Sequence, residues 1–180
     1  MRILQVLCFT CLSMGLMAQS KYDLEVGSPD NPGHARITQA YPSELILFTM
    51  DNKQVDIKHD GVMLFQIWSV GAGSQPEMWT RVREIAARFK DLGLTTISVN
   101  FENGASGKIQ KNRVAEFFKT TPEPENFYLD KLGYTVDEFR MPGFPHYYLV
   151  DKSGLVIFRT NGLDKKGVSV LEEEIEHALK

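Results

Sequence analysis

A chain of 180 residues, 43% hydrophobic and 24% charged, is long enough for one domain with its own core. A formal net charge of −3 gives it no bulk electrostatic footprint for nucleic acid or an anionic membrane. Neither low-complexity tracts nor internal repeats are present, which excludes a disordered or solenoid protein.

Residues 1–18 read as a cleavable leader. Arg2 supplies the positive start, residues 3–15 are apolar apart from Gln5, Thr10 and Ser13, and Ala18 precedes a cut that makes Gln19 the mature start. The apolar run is shorter than the roughly 20 residues a membrane span needs. Both cysteines of the sequence, Cys8 and Cys11, lie inside this leader. The expected mature chain therefore enters an oxidising compartment with no disulfide, no thiol nucleophile and no thiolate ligand.

Residues 19–41 are polar and turn-rich, an N-terminal extension in which residues 23–26 and 35–37 are weak edge-strand candidates. Residues 45–50 and 54–58 read as two strands around the turn Asp51-Asn52-Lys53, a hairpin. Residues 62–68 (VMLFQIW) form a nearly continuous apolar run, broken only by Gln66, of the kind buried on both faces of a sheet. Gly71-Ala72-Gly73 then breaks the chain. Ser74 with Glu77 three residues later makes a capping box, and Pro76 fits the first turn of the helix that follows. That helix is predicted over 76–92, with Met78, Val82, Ile85, Ala86 and Phe89 inward and Gly93 as its stop. Trp79 stands one place off this stripe and is expected to be partly exposed.

Residues 94–101 (LTTISVNF) are β-branched and read as the next strand. A helix over 108–119 turns Ile109, Val114, Phe117 and Phe118 inward. Residues 127–129 read as a short strand and 135–139 as a helical turn. Residues 147–150 and 155–159 form a hairpin across Asp151-Lys152-Ser153-Gly154. A last helix over 168–179 buries Val170, Leu171, Ile175 and Leu179. Strands alternating with helices imply a parallel core, with the closing hairpin antiparallel at one side.

Several of these pieces resemble the redoxin branch of the thioredoxin superfamily, the thiol-disulfide oxidoreductases of the TlpA and ResA kind. Pro42-Ser43-Glu44-Leu45 through Val55 is similar to that family's entry strand and turn. Residues 62–69 resemble its core strand. Gly143-Phe144-Pro145-His146-Tyr147-Tyr148-Leu149-Val150-Asp151 looks like its cis-proline loop and following strand, and Lys152-Ser153-Gly154-Leu155-Val156 like its closing hairpin. The resemblance runs from Pro42 to the C-terminus. It implies an α/β thioredoxin-like fold, a central mixed sheet flanked by helices, preceded by an N-terminal β-hairpin extension. The domain limits are then 1–18 leader, 19–41 extension and 42–180 thioredoxin-like domain.

The departure lies where that family carries Cys-x-x-Cys. Here the interval is Ser69-Val70-Gly71-Ala72-Gly73-Ser74-Gln75-Pro76. Ala72 and Gln75 occupy the cysteine positions without a gap, Gly71 and Ser74 with a one-residue deletion. Thiol–disulfide exchange needs a thiolate, and peroxide reduction of the peroxiredoxin type passes through a cysteine sulfenic acid, so neither reaction is expected.

The expected protein is a periplasmic binding or assembly module for a protein or peptide partner. Its surface comprises Gly71, Ala72, Gly73, Ser74, Gln75, Trp79, Phe144, Pro145 and His146. In the family the cis-proline loop pairs with the backbone of extended substrate, a contact that needs no sulfur. Two alternatives stay open: a hydrolase built on Ser74 and His146, or a redox role exercised only through a cysteine-bearing partner. The histidines show no ligand spacing, so no metal is expected, nor any other cofactor, nucleic acid, or membrane span after leader removal.

Overall fold

A computed structural model of the chain describes residues 39–72 and 76–180. The leader, the strand candidates at 23–26 and 35–37, and Gly73, Ser74 and Gln75 lie outside the described residues. So does the Ser74 half of the capping box.

One eight-stranded sheet organises everything else, in the order β1-β8-β7-β4-β5-β6-β2-β3. Its centre is β4, Val62–Trp68, whose seven residues are all buried. β5, Leu94–Asn100, pairs parallel to β4 from Val62↔Leu94 to Trp68↔Asn100. β6, Phe127–Leu129, continues the parallel set. On the other side of β4 runs β7, His146–Val150, antiparallel, followed by β8, Leu155–Thr160. The sheet is thus the mixed one expected.

The early hairpin, β2 (Ile46–Phe48) and β3 (Gln54–Asp56), closes on Asn52 at φ 72° and joins the sheet through Phe48 opposite Leu129 of β6. β1, Gln39–Ala40, pairs with β8 at the opposite edge. Residues 39–41, assigned by sequence to the extension, are part of this domain. The Tyr41 hydroxyl donates to the Ile57 carbonyl at 2.5 Å, and its ring lies 5.8 Å from that of Phe65.

Side-chain alternation along β4 sorts the core into two layers. Met63, Phe65 and Ile67 face Leu45, Leu47, Phe139 and Tyr148. Val62 and Leu64 face α1, Pro76–Phe89, and α4, Lys165–Leu179, through Val82, Ile85, Phe89, Leu171 and Ile175. Trp68 belongs to the same layer farther along. It meets Trp79 of α1 edge-on, with centroids 4.8 Å apart at 89°, beside Phe117 of α2, Gly107–Phe117. Such aromatic contacts add about 0.5–1.5 kcal/mol each beyond area burial.

Helix ends follow local chemistry. α1 passes into a short 3-10 turn, Lys90–Leu92, that ends on Gly93 at φ 102°. Ser106 caps α2, and Asp164 caps α4 by accepting from the Gly167 N–H at 2.6 Å. A short helix α3, Tyr134–Glu138, precedes β7.

Three side-chain expectations are corrected here. Trp79 is 2% exposed, because α2 covers the flank of α1 that would otherwise face water. Ile109 is 48% exposed, and its neighbour Gln110 is buried instead. Val170 and Leu179 are only half-buried at the edge of α4's inner face.

Candidate functional site

β4 ends and β7 begins at one margin of the sheet, since Ile67 pairs with His146. The two expected halves of the site therefore emerge side by side. One is the turn Val70–Ala72 after β4, a single 3-10 turn with Gly71 exposed. The other is the loop entering β7, where the Phe144–Pro145 peptide bond is cis. Phe144 stacks on Phe101, which follows β5, with centroids 5.9 Å apart. Phe144 and Pro145 are both half-buried.

Beside this loop lies a groove of about 550 Å³, whose apolar side chains are Phe101, Leu132, Val136, Met141, Pro142 and Phe144. Leu132 on its wall is 59% exposed, and Tyr134 next to it 39%. Exposed apolar side chains gathered on a concave surface mark a binding face more strongly than scattered ones do.

His146 does not face this groove. It is 4% exposed, its Nδ1 lies 2.8 Å from the Gly143 carbonyl, and its ring stacks on Tyr148 in the core layer. In the neutral tautomer that fits, Nδ1–H donates to that carbonyl. Burial lowers its pKa below the usual imidazole range, and Arg159 pushes the same way against the Gly143 hydrogen bond. The Nδ1 bond orients the ring within its own loop; Ser74, its expected partner, lies outside the described residues.

The turn after β4 is held from below by a carboxylate that sequence reasoning did not single out. Glu102 is 4% exposed. Its Oε1 accepts from the Val70 N–H at 2.6 Å, the Ser69 hydroxyl at 3.2 Å and Asn100 Nδ2 at 3.0 Å. Its Oε2 accepts from Arg113 of α2 at 3.1 Å. Gln110 Nε2 extends the network, donating to the Asn100 carbonyl at 2.8 Å and the Asp130 carbonyl at 3.1 Å. Asp130, 1% exposed, accepts from the N–H groups of Leu132, Gly133, Tyr134 and Thr135. One carboxylate fixes the turn and the other fixes the groove wall. Both stand just past the carboxyl end of a parallel strand, which is the signal that points to them.

Among the described residues no three His, Cys, Asp or Glu side chains gather as a metal site. No helix among them is long and apolar enough to cross a membrane.

No family model matches the sequence, and no curated protein does. Solved structures do. A candidate thiol:disulfide interchange protein DsbE from Chlorobium tepidum superposes with a TM-score of 0.67 at 20% identity, covering 78% of this chain and 96% of that one. The chain has a thioredoxin-like fold. A candidate protein disulfide isomerase from Bacteroides thetaiotaomicron gives 0.65 at 21% identity over 82% of this chain and 92% of that one. StoA from Bacillus subtilis gives 0.57 at 15% identity over 74% and 97%. In this thioredoxin-like chain, the margin that carries the Val70–Ala72 turn and the cis-proline loop stands where the resemblance placed the family's reactive element.

Proposed function

We propose that this chain is an extracytoplasmic thioredoxin-like binding module that performs no thiol redox chemistry and takes an extended apolar segment of a protein partner along its cis-proline loop. The leader-like residues 1–18 support the location. The sequence supports the lack of redox chemistry, since it contains no cysteine after Cys11. The observation that carries the binding role is the open groove formed by Phe101, Leu132, Val136, Met141 and Phe144 beside Pro145. Backbone pairing at the loop supplies affinity, and the groove selects side chains. The Ser74–His146 hydrolase reading is the weaker one, because burial keeps His146 from solvent and lowers its basicity.

The test is selection from a displayed library of linear peptides, followed by titration of the winners. Apolar, unstructured peptides are expected. Leu132→Asp, an exposed change, should weaken them about tenfold or more, the scale of a charge set against an apolar contact. N-methylation at alternate backbone positions of the peptide should abolish binding. Failure to select any peptide, or binding indifferent to Leu132→Asp and Phe144→Ala, contradicts the role.

A further inference from the structure

A second cavity opens on the opposite flank of the central strands, between α1 and β5, about 560 Å³ in volume. It shares no lining residue with the cis-proline groove. Its size falls within the roughly 300–1,000 Å³ range of small-molecule sites.

Two features distinguish it from a gap in helix packing. The first is its floor. On the helix-facing side of β4 and β5, Leu64 and Leu94 are apolar, but the next positions, Gln66, Thr96 and Ser98, are polar. Ser98 accepts from Trp68 Nε1 at 3.0 Å. Gln66 sits across from Tyr147 of β7, whose hydroxyl it meets side chain to side chain. Two other lining residues carry a buried polar atom with no hydrogen-bond partner among the described residues: Thr96 Oγ1 and Trp79 Nε1. A lone buried donor or acceptor costs about 1–3 kcal/mol, so two around one cavity are not expected of packing alone.

The second feature is the mouth. α1 turns Ala86 and Ala87 toward the cavity, leaving its width open. Lys90 is paired with Glu125 at 2.5 Å across the rim. Arg83, exposed at the same rim, makes no ion pair among the described residues. Among the described residues at the mouth, Arg83, Lys90 and Glu125 sum to one positive charge.

We propose that the cavity between α1 and β5 binds a small planar organic anion, an aromatic carboxylate or sulfonate. Its ring would lie against Val82 and Ala86, its charge on the Arg83 guanidinium, and a further acceptor toward the indole N–H of Trp79. Arg is suited to this because its planar fork matches a carboxylate or sulfonate in two hydrogen bonds.

The test titrates the full chain with 8-anilinonaphthalene-1-sulfonate, read by fluorescence, beside N-phenyl-1-naphthylamine, the same ring system without the sulfonate. Near-UV circular dichroism confirms that each variant is folded. The sulfonate probe should saturate at one site and bind about tenfold tighter than the uncharged probe. Arg83→Gln should remove that difference without weakening the uncharged probe. Ala86→Leu, which fills the cavity, should abolish both. Leu132→Asp in the peptide groove should leave both unchanged, so failure here and failure of the peptide-binding role are separate results. Absent or non-saturating sulfonate binding overturns the site, as does binding unaffected by Arg83→Gln. If Leu132→Asp abolishes the signal, the probe lies in the other groove and the site is equally overturned.

Discussion

Replacing Glu102 by alanine should be among the most damaging single polar changes in the molecule, although the residue sits in a loop. The substitution strips an acceptor from the Val70 N–H, the Ser69 hydroxyl and the Asn100 amide, all buried or half-buried, and from the half-exposed Arg113. Asn100 keeps a long contact to the Trp68 carbonyl at 3.4 Å, and Arg113 regains water. Two donors are left poorly served, at about 1–3 kcal/mol each. Relief from holding a carboxylate out of water offsets part of that loss. The net expectation is a loss of about 2–4 kcal/mol. Urea unfolding measures it as a midpoint lowered by roughly 1–2 M at unchanged slope. Glu102→Gln keeps one acceptor for the Val70 N–H and should cost about half as much. Arg113→Ala should cost under about 1 kcal/mol, since its side chain is half solvated. A Glu102→Ala protein within about 0.5 kcal/mol of wild type would refute the claim that this carboxylate holds the turn.

Other outcomes follow from the same geometry. Asp130→Ala removes the acceptor for four backbone N–H groups and the Thr135 hydroxyl, and should cost about 3 kcal/mol or more by urea titration. His146 has a lowered pKa when folded, so the unfolded chain binds the extra proton. Stability should therefore be full above the ordinary imidazole pKa near 6.5 and decline as pH falls below it. His146→Gln should flatten that decline in midpoints measured from pH 7 to 5. Burial raises the phenol pKa of Tyr147 to about 12 and also raises those of Tyr41 and Tyr148. Their contribution should hold below the unfolded phenol pKa near 10 and be lost above it. Absorbance at 295 nm should show Tyr41, Tyr147 and Tyr148 ionising only as the fold opens.

Much of the architecture is legible because it is written in short-range pattern. The run 62–68 is apolar on both faces save for Gln66, and the observed β4 is buried on both. Gly93 ends the 3-10 turn that follows α1 and Gly154, at φ 82°, turns the last hairpin, because few other residues adopt left-handed backbone readily. Pattern failed where tertiary cover decides. Trp79 and Met78 are both within reach of an apolar stripe containing Val82 and Phe89. Which one is buried depends on α2, some thirty residues later, and α2 covers Trp79. Ile109 loses the inner position to Gln110 because the wall it would face is the polar one made by Asn100, Glu102 and Asp130. Asn100 ends β5, Glu102 and Asp130 lie just past the ends of β5 and β6, and the three meet only when those strands pair, so no local spacing announces them. The turn after β4 is supported from below, by a glutamate two residues past the end of β5.

A thioredoxin-like frame that works without thiol chemistry should be inert in insulin reduction by dithiothreitol, tested with the chain from Gln19 beside the same chain carrying Ala72→Cys and Gln75→Cys. The natural sequence should give no rate above dithiothreitol alone. Insulin precipitation accelerated by the natural sequence, in a preparation free of other thiol proteins, would contradict that expectation.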